Sequence, residues 1–142
     1  MPDPDPKVKP RAEEHIKEYL ASNGTKGGTR GGHPVLLLTT TGRISGEPRM
    51  VPLMFFPVAH EMMLAASNYG RELVPDWYRN IEKNPNVRLR LGAEDVSATA
   101  RIATGEERQR LFDHLVNEAA FYGGYQKMMQ REIPLVLLKR AS

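Results

Sequence analysis

Residues Asn86 to Leu91 alternate cleanly, with Val87, Leu89 and Leu91 on one face and Arg88 and Arg90 on the other. A period of two predicts a strand with one face against a core. Gly92 to Asp95 turns the chain, and Val96 to Ile102 returns as the partner strand. Val35 to Leu38 is a continuous branched apolar run, which predicts a buried strand over Pro34–Thr41. Further strands are expected over Pro48–Phe56, Glu61–Ser67 and Ile133–Leu138, with a hairpin connection at Val58–Glu61. Three stretches follow the helical period instead. Arg11–Ser22 places Ile16, Tyr19 and Leu20 on one face, and Val74–Lys83 ends before Asn84-Pro85. Thr104 with Glu107 forms a capping-box pattern, followed by a stripe of Leu111, Phe112, Leu115, Val116 and Ala119. Gly123-Gly124 is expected to break that helix. The glycine-rich segment 23–32 lacks the order of a phosphate loop and reads as a flexible connector.

At 142 residues the chain predicts one domain over residues 11–142, after a proline-rich tail (1–10) that reads as disordered. Antiparallel strands with few helices predict a mainly β (α+β) fold, a small β-barrel decorated by helices. No apolar run approaches the roughly 20 residues that span a membrane, and the N-terminus has no apolar signal core. Cytoplasmic residence is therefore expected. The chain has no cysteine, which removes disulfides, thiolate metal sites and cysteine nucleophiles. A net charge of +3 suits an anionic small ligand or an anionic surface and is too small to argue for nucleic acid.

The four histidines are scattered without metal-ligand spacing, so no metal site is expected. Ser67 lacks a GxSxG setting, and the paired carboxylates sit at helix starts. With no self-sufficient protein catalyst, any redox or transfer chemistry falls to a cofactor. Three clusters remain. The segment PVLLLTTTGRISGEPRMVPL (34–53) joins a strand to a glycine-framed turn with Arg43 and Arg49. Thr39 and Thr41 share a face of that strand, and the turn amides suit an anion nest. Ala65-Ala66-Ser67-Asn68 is either a close-approach surface for a flat ring or a tightly packed strand end. Trp77, Tyr78, Phe121, Tyr122 and Tyr125 form an aromatic set, of which the tyrosines beside two glycines could gate an apolar pocket.

These segments, together with PDWYRNIEKNPNVRLRLG (75–92), ATGEER (103–108) and YGGYQ…REIPLVLL (122–138), resemble the deazaflavin-dependent nitroreductase family over about His15–Leu138. The resemblance implies a split antiparallel β-barrel of the FMN-binding type, with helices at the N-terminus and in the C-terminal half. It implies an oxidoreductase that moves a hydride from reduced coenzyme F420, an 8-hydroxy-5-deazaflavin, to a quinone, a nitroaromatic or another activated unsaturated acceptor. By the same resemblance Arg43 and Arg49 hold the phosphate and acidic tail, and Thr41, Gly42, Ile44 and Pro52 belong to the cofactor wall. Ala65, Ala66, Ser67 and Asn68 line the cofactor, Asp76 and Trp77 lie by the ring system, and Tyr122 and Tyr125 cover the substrate. One tyrosine either protonates the acceptor or serves only as a wall.

Relatives often carry a lysine where this chain has Ile44, and SKGG where it has Ser67-Asn68-Tyr69-Gly70. Asp76 adds a negative charge beside the expected anion site, and Arg71 lies close enough in sequence to compensate. These departures keep two alternatives open: an FMN-dependent reductase of the same barrel, and a non-catalytic flavin- or deazaflavin-binding protein. Both monomer and homodimer fit. Peripheral membrane contact through Arg11–Ser22 is an added expectation if the acceptor is a quinone.

Overall fold

The six strands and three helices expected from the alternation and stripes are all present, with most boundaries shifted by only one to three residues, and the described residues add the two-residue strand Thr29–Arg30, a separate strand Phe56–Val58 and the helix Phe121–Lys127. The computed structural model describes residues 8–141. In chain order the elements are α1 (Val8–Ser22), β1 (Thr29–Arg30), β2 (His33–Thr41), β3 (Pro48–Met54), β4 (Phe56–Val58), β5 (Glu61–Ala65), α2 (Asp76–Lys83), β6 (Asn86–Leu91), β7 (Glu94–Ile102), α3 (Gly105–Glu118), α4 (Phe121–Lys127) and β8 (Leu135–Arg140). The first helix begins at Val8 rather than Arg11, so the expected tail loses residues 8–10; residues 1–7 lie outside the described residues. Among the described residues no helix is long and apolar enough to cross a membrane.

The sheet runs β3-β2-β6-β7-β8-β5-β4, every pair antiparallel. Its two end strands are one piece of chain: only Phe55 separates β3 from β4. The Phe55 N–H still donates to Pro34 O at 3.0 Å, on the β2 side, while Phe56 already pairs with Met63 of β5. A strand that changes partners at one residue forms a corner, and the sheet curls until its ends meet there. Beyond that corner β3 and β5 diverge, and this gap is the split in the barrel. Pro52 on the open edge of β3 has no N–H to leave unpaired, which suits an edge position.

Both faces of the central strands are covered, which explains their unbroken apolar runs. Leu36 and Leu38 of β2, Leu64 of β5, Leu89 of β6 and Val136 and Leu138 of β8 fill the barrel with Trp77 and Ile81 of α2. The alternate positions point outward. Val35 and Leu37 meet Tyr19 of α1, while Met63, Leu135 and Leu137 meet Leu111 and Leu115 of α3 and Tyr122 of α4.

Three local expectations are corrected. Segment 23–32 is not a featureless connector: Arg30 pairs with His33 across Gly31-Gly32, whose φ of 56° and 83° build a two-residue hairpin turn. Thr104 does precede α3, but its hydroxyl makes no cap hydrogen bond, and Glu107 pairs instead with Arg101 (2.8 Å). The helix break falls at Ala119 (φ −147°, ψ 89°), and α4 runs straight through Gly123 and Gly124. Two helical glycines cost about 1 kcal/mol each relative to alanine, and the burial of Tyr122 and its ring contacts outweighs this.

Tyr19 anchors α1. Its hydroxyl shares a proton between Val35 O (3.1 Å) and Arg90 O (3.2 Å) and accepts from the Gly92 N–H (2.8 Å). Tyr19→Phe is expected to lower unfolding stability by about 1–3 kcal/mol, read from urea denaturation, because three buried backbone groups lose a partner.

Candidate functional site

The gap between β3 and β5 holds a cavity of about 550 Å³. Val51, Pro52, Leu53 and Met54 of β3 form one side, and Leu64 and Ala65 of β5 with Ser67 and Asn68 form another. Trp77 of α2 and Phe121, Tyr122 and Tyr125 of α4 supply aromatic walls, Tyr69, Arg71 and Pro75 also line it, and Ala12, His15 and Arg30 join from the N-terminal elements. A cavity of this size, mostly apolar with a few polar groups, suits a small organic molecule or cofactor. A smaller cavity of about 130 Å³ shares Ala12, Val51, Asn68, Pro75 and Trp77 in its wall and reaches Thr40, Arg49, Asp76 and Asn80.

Arg49 is the notable group of the smaller cavity. Its Nη2 donates to Ser45 Oγ (3.2 Å) and its Nη1 to Pro48 O (3.4 Å). Among the described residues its Nε is buried without a hydrogen-bond partner. A buried cationic N–H left unpaired is costly, and an anionic oxygen would satisfy it.

Arg43 is placed differently. Asn80 Oδ1 accepts from the Arg43 backbone N–H (3.1 Å) and from its Nη1 (3.1 Å), and Asp76 Oδ1 accepts from Nη2 (3.2 Å). Lys83 Nζ donates to the Arg43 carbonyl at 2.8 Å. Arg43 thus joins the turn to α2 and lines neither cavity. Its pairing also meets the charge of Asp76, which therefore does not stand as a lone anion beside the site. The anion nest expected from the turn is consumed internally. The Gly42 N–H donates to Glu47 O (2.7 Å), Gly46 to Gly42 O (2.9 Å) and Glu47 to Ser45 Oγ (3.1 Å).

Of the other expected residues, Pro52, Ala65, Ser67, Asn68, Trp77, Tyr122 and Tyr125 line the large cavity, and Asp76 the small one. Thr41, Gly42, Ile44 and Ala66 line neither. Ile44 sits 80% exposed in the turn, and Ala66 is wholly buried in the barrel core. The threonine that matters by contact is Thr40 rather than Thr39 or Thr41. It continues the inward face of Leu36 and Leu38, is buried, and accepts from Asn80 Nδ2 at 3.0 Å. Neither Thr40 nor Asn80 stood out in the sequence. The even spacing from Leu36 and Leu38 was the only available signal for Thr40.

In α4, Tyr122 packs edge-on against Phe56 (5.9 Å) and Tyr125 (6.0 Å) and against Phe121 (4.4 Å). Burial first, and then neighbouring Tyr125, pushes the Tyr122 hydroxyl up to about 12, with Arg30 opposing. The phenol therefore keeps its proton across the physiological range and can act as a hydrogen-bond donor.

Two outcomes follow from this geometry. The folded chain holds the Tyr122 proton longer than the unfolded chain, so stability falls as pH rises from 10 to about 12. Tyr122→Phe should remove up to about 3 kcal/mol of that alkaline loss, measured as urea midpoints at high pH against neutral pH. Asn80→Ala should cost about 1–3 kcal/mol, because the Arg43 N–H groups and the Thr40 hydroxyl lose their buried partner; thermal melts would read it.

The comparisons with known proteins agree with this arrangement. The family described as F420H(2)-dependent quinone reductase matches residues 11–140. An F420H(2)-dependent quinone reductase of Mycobacterium tuberculosis (strain ATCC 25618 / H37Rv) is 34% identical over 131 residues, covering 89% of this chain and 87% of the relative. A solved F420-H2 dependent reductase, FDR-A, is 36% identical, with a TM-score of 0.67 over 75% of this chain and 94% of its own. Another solved chain, described as a domain-swapped dimer, is 33% identical, with a TM-score of 0.71 over 94% of this chain and 97% of its own. With its curled antiparallel sheet split beside an aromatic cavity, and with nearly its whole length matched, this chain belongs to the F420H(2)-dependent quinone reductase family.

Proposed function

We propose that this chain binds reduced coenzyme F420 across the two adjoining cavities and uses it to reduce a quinone held under α4. The observation that carries this assignment is the buried, unpartnered Nε of Arg49 beside the Trp77 wall that both cavities share. A guanidinium in need of an anionic oxygen, next to a flat aromatic surface, fits a ligand with an acidic tail and a planar ring system. When bound, the deazaflavin supplies the hydride, and its ring system carries the redox chemistry.

The protein's own residues do the remaining work. Arg49 holds the acidic part, while Arg43 shapes the turn from which Arg49 departs. The small side chains of Ala65 and Ser67 let a ring lie close to the end of β5. Trp77, Tyr122 and Phe121 exclude water from the acceptor and hold it flat, within the roughly 3–3.5 Å that hydride transfer needs. Tyr122, protonated at neutral pH, donates a hydrogen bond to the acceptor oxygen on which negative charge develops. Tyr125 sits in the same wall and serves the same oxygen or confines it. A homodimer is the assembly we favour, by likeness to the domain-swapped relative; light scattering on the purified chain reads it.

The test is a fluorescence titration with oxidised coenzyme F420, run beside FMN, for wild type and Arg49→Ala. Wild type should bind F420 in preference to FMN. Arg49→Ala should weaken that binding about tenfold to a hundredfold, the worth of a charged hydrogen bond, while moving unfolding stability by less than about 1 kcal/mol. Preference for FMN, or equal loss of binding and stability, would overturn the assignment.

A further inference from the structure

The cavity wall between β5 and α2 adopts a backbone that its sequence does not favour. Asn68 and Tyr69 have φ of 49° and 59°, followed by Gly70 at 82°. Consecutive left-handed residues bearing a Cβ are disfavoured and need external support. Ser67, Asn68, Tyr69 and Arg71 of this segment all line the large cavity.

Locally, Asn68 Nδ2 donates to Leu73 O (2.8 Å) and Gly70 N–H to Ser67 O (3.0 Å); the support from outside the segment comes from one side chain in the link between α4 and β8. Arg131 Nη1 donates to Ala66 O (3.2 Å), and its Nη2 to Ser67 O (3.2 Å), Arg71 O (2.8 Å) and Leu73 O (3.4 Å). Its Nε donates to Glu72 O. In return, Glu72 Oε1 accepts from the Gln130 N–H at 2.7 Å. Five carbonyls of residues 66–73, with Glu132 O beside them (3.5 Å), converge on one guanidinium, three sharing the two N–H groups of Nη2, a spread that its planar fork can serve and a lysine cannot.

The same arginine is tied to the other side of the cavity. Gln126, next to Tyr125 in α4, donates through Nε2 to Arg131 O (2.8 Å). Gln126 Oε1 accepts from the Ile133 N–H (2.9 Å) and from Arg108 Nη2 of α3 (3.3 Å). A Cβ at Gly70 would meet Met128 Sδ at 3.1 Å and Tyr125 at 3.4 Å, so the two walls are in near contact there.

We propose that Arg131 is a positioning residue of the reductase site: it grips residues 66–67 and 71–73 on either side of the left-handed run 68–70 and fixes that wall relative to Tyr122 and Tyr125. The ligand that fills the cavity rests on the function proposed above; the clamp itself does not. Arg131 touches neither cavity and acts only through the segment it holds.

The test is Arg131→Lys in the full chain, which keeps the charge and loses the fork. Amide hydrogen exchange over residues 68–73 should quicken about tenfold while the barrel strands stay protected. The Kd for oxidised F420 and the KM for a soluble quinone should each rise about tenfold, with kcat at saturation falling less. Arg101→Lys, a surface arginine paired with Glu61 and Glu107, should change none of these. Unchanged exchange over 68–73 would sink the proposal, as would quickened exchange with Kd and KM untouched. If wild type binds no F420, the function above falls, and the exchange result alone decides the clamp. Should Arg131→Lys fail to fold, Glu72→Ala removes the parallel tie, and its exchange over 68–73 should quicken about threefold; no change there overturns the clamp.

Discussion

Residues Pro48–Val58 serve both ends of the sheet at once. The first part pairs with β2 and the last with β5, and the change is made at Phe55 within a single residue. That covalent link forces the sheet to curl, and the curl gives the central strands an inside and an outside. It also prevents β3 and β5 from pairing along their length, so the gap beside the corner stays open. The large cavity lies in that gap, with α2 and α4 across it. Closure and opening are thus two results of one kink.

Around the opening, charge is divided between Arg43 in the turn and Arg49 at the start of β3. Arg43 is spent on structure, bonded to Asn80 and Asp76, and so ties the turn to α2. Arg49 keeps a buried N–H without a partner at the cavity. The aromatic side is held by packing of Tyr122 against Phe56 and Phe121, and the wall at 66–73 by convergent carbonyls on Arg131. The aromatic wall thus leans on β4 through Phe56, and the wall at 66–73 on the link that precedes β8.

β6 was legible because its side chains obey a period of two, β2 and β8 because their apolar runs are continuous, and α3 because its stripe obeys the helical period. The strand order, the corner at Phe55 and the pairing of Arg30 with His33 were not, since they depend on contacts far apart in sequence or on a two-residue strand too short to show a period. The break at Ala119 was misplaced to Gly123-Gly124 because glycine's local cost is small beside the burial of Tyr122.

The sequence by itself determined the mainly β class, the family, and most of the residues that meet at the cavity: Pro52, Ala65, Ser67, Asn68, Trp77, Tyr122 and Tyr125. Local pattern suffices for the class, because strand faces are properties of neighbouring residues; the family and these cavity residues follow from the resemblance of the motif segments to that family. Only the tertiary structure decided that Arg49 rather than Arg43 lines a cavity, that Asp76 is neutralised by a partner 33 residues away, and that Thr40 and Asn80 form one buried network. Those outcomes turn on where a charged or polar group finds its partner once water is removed, and that partner is chosen by the fold rather than by its neighbours in the chain.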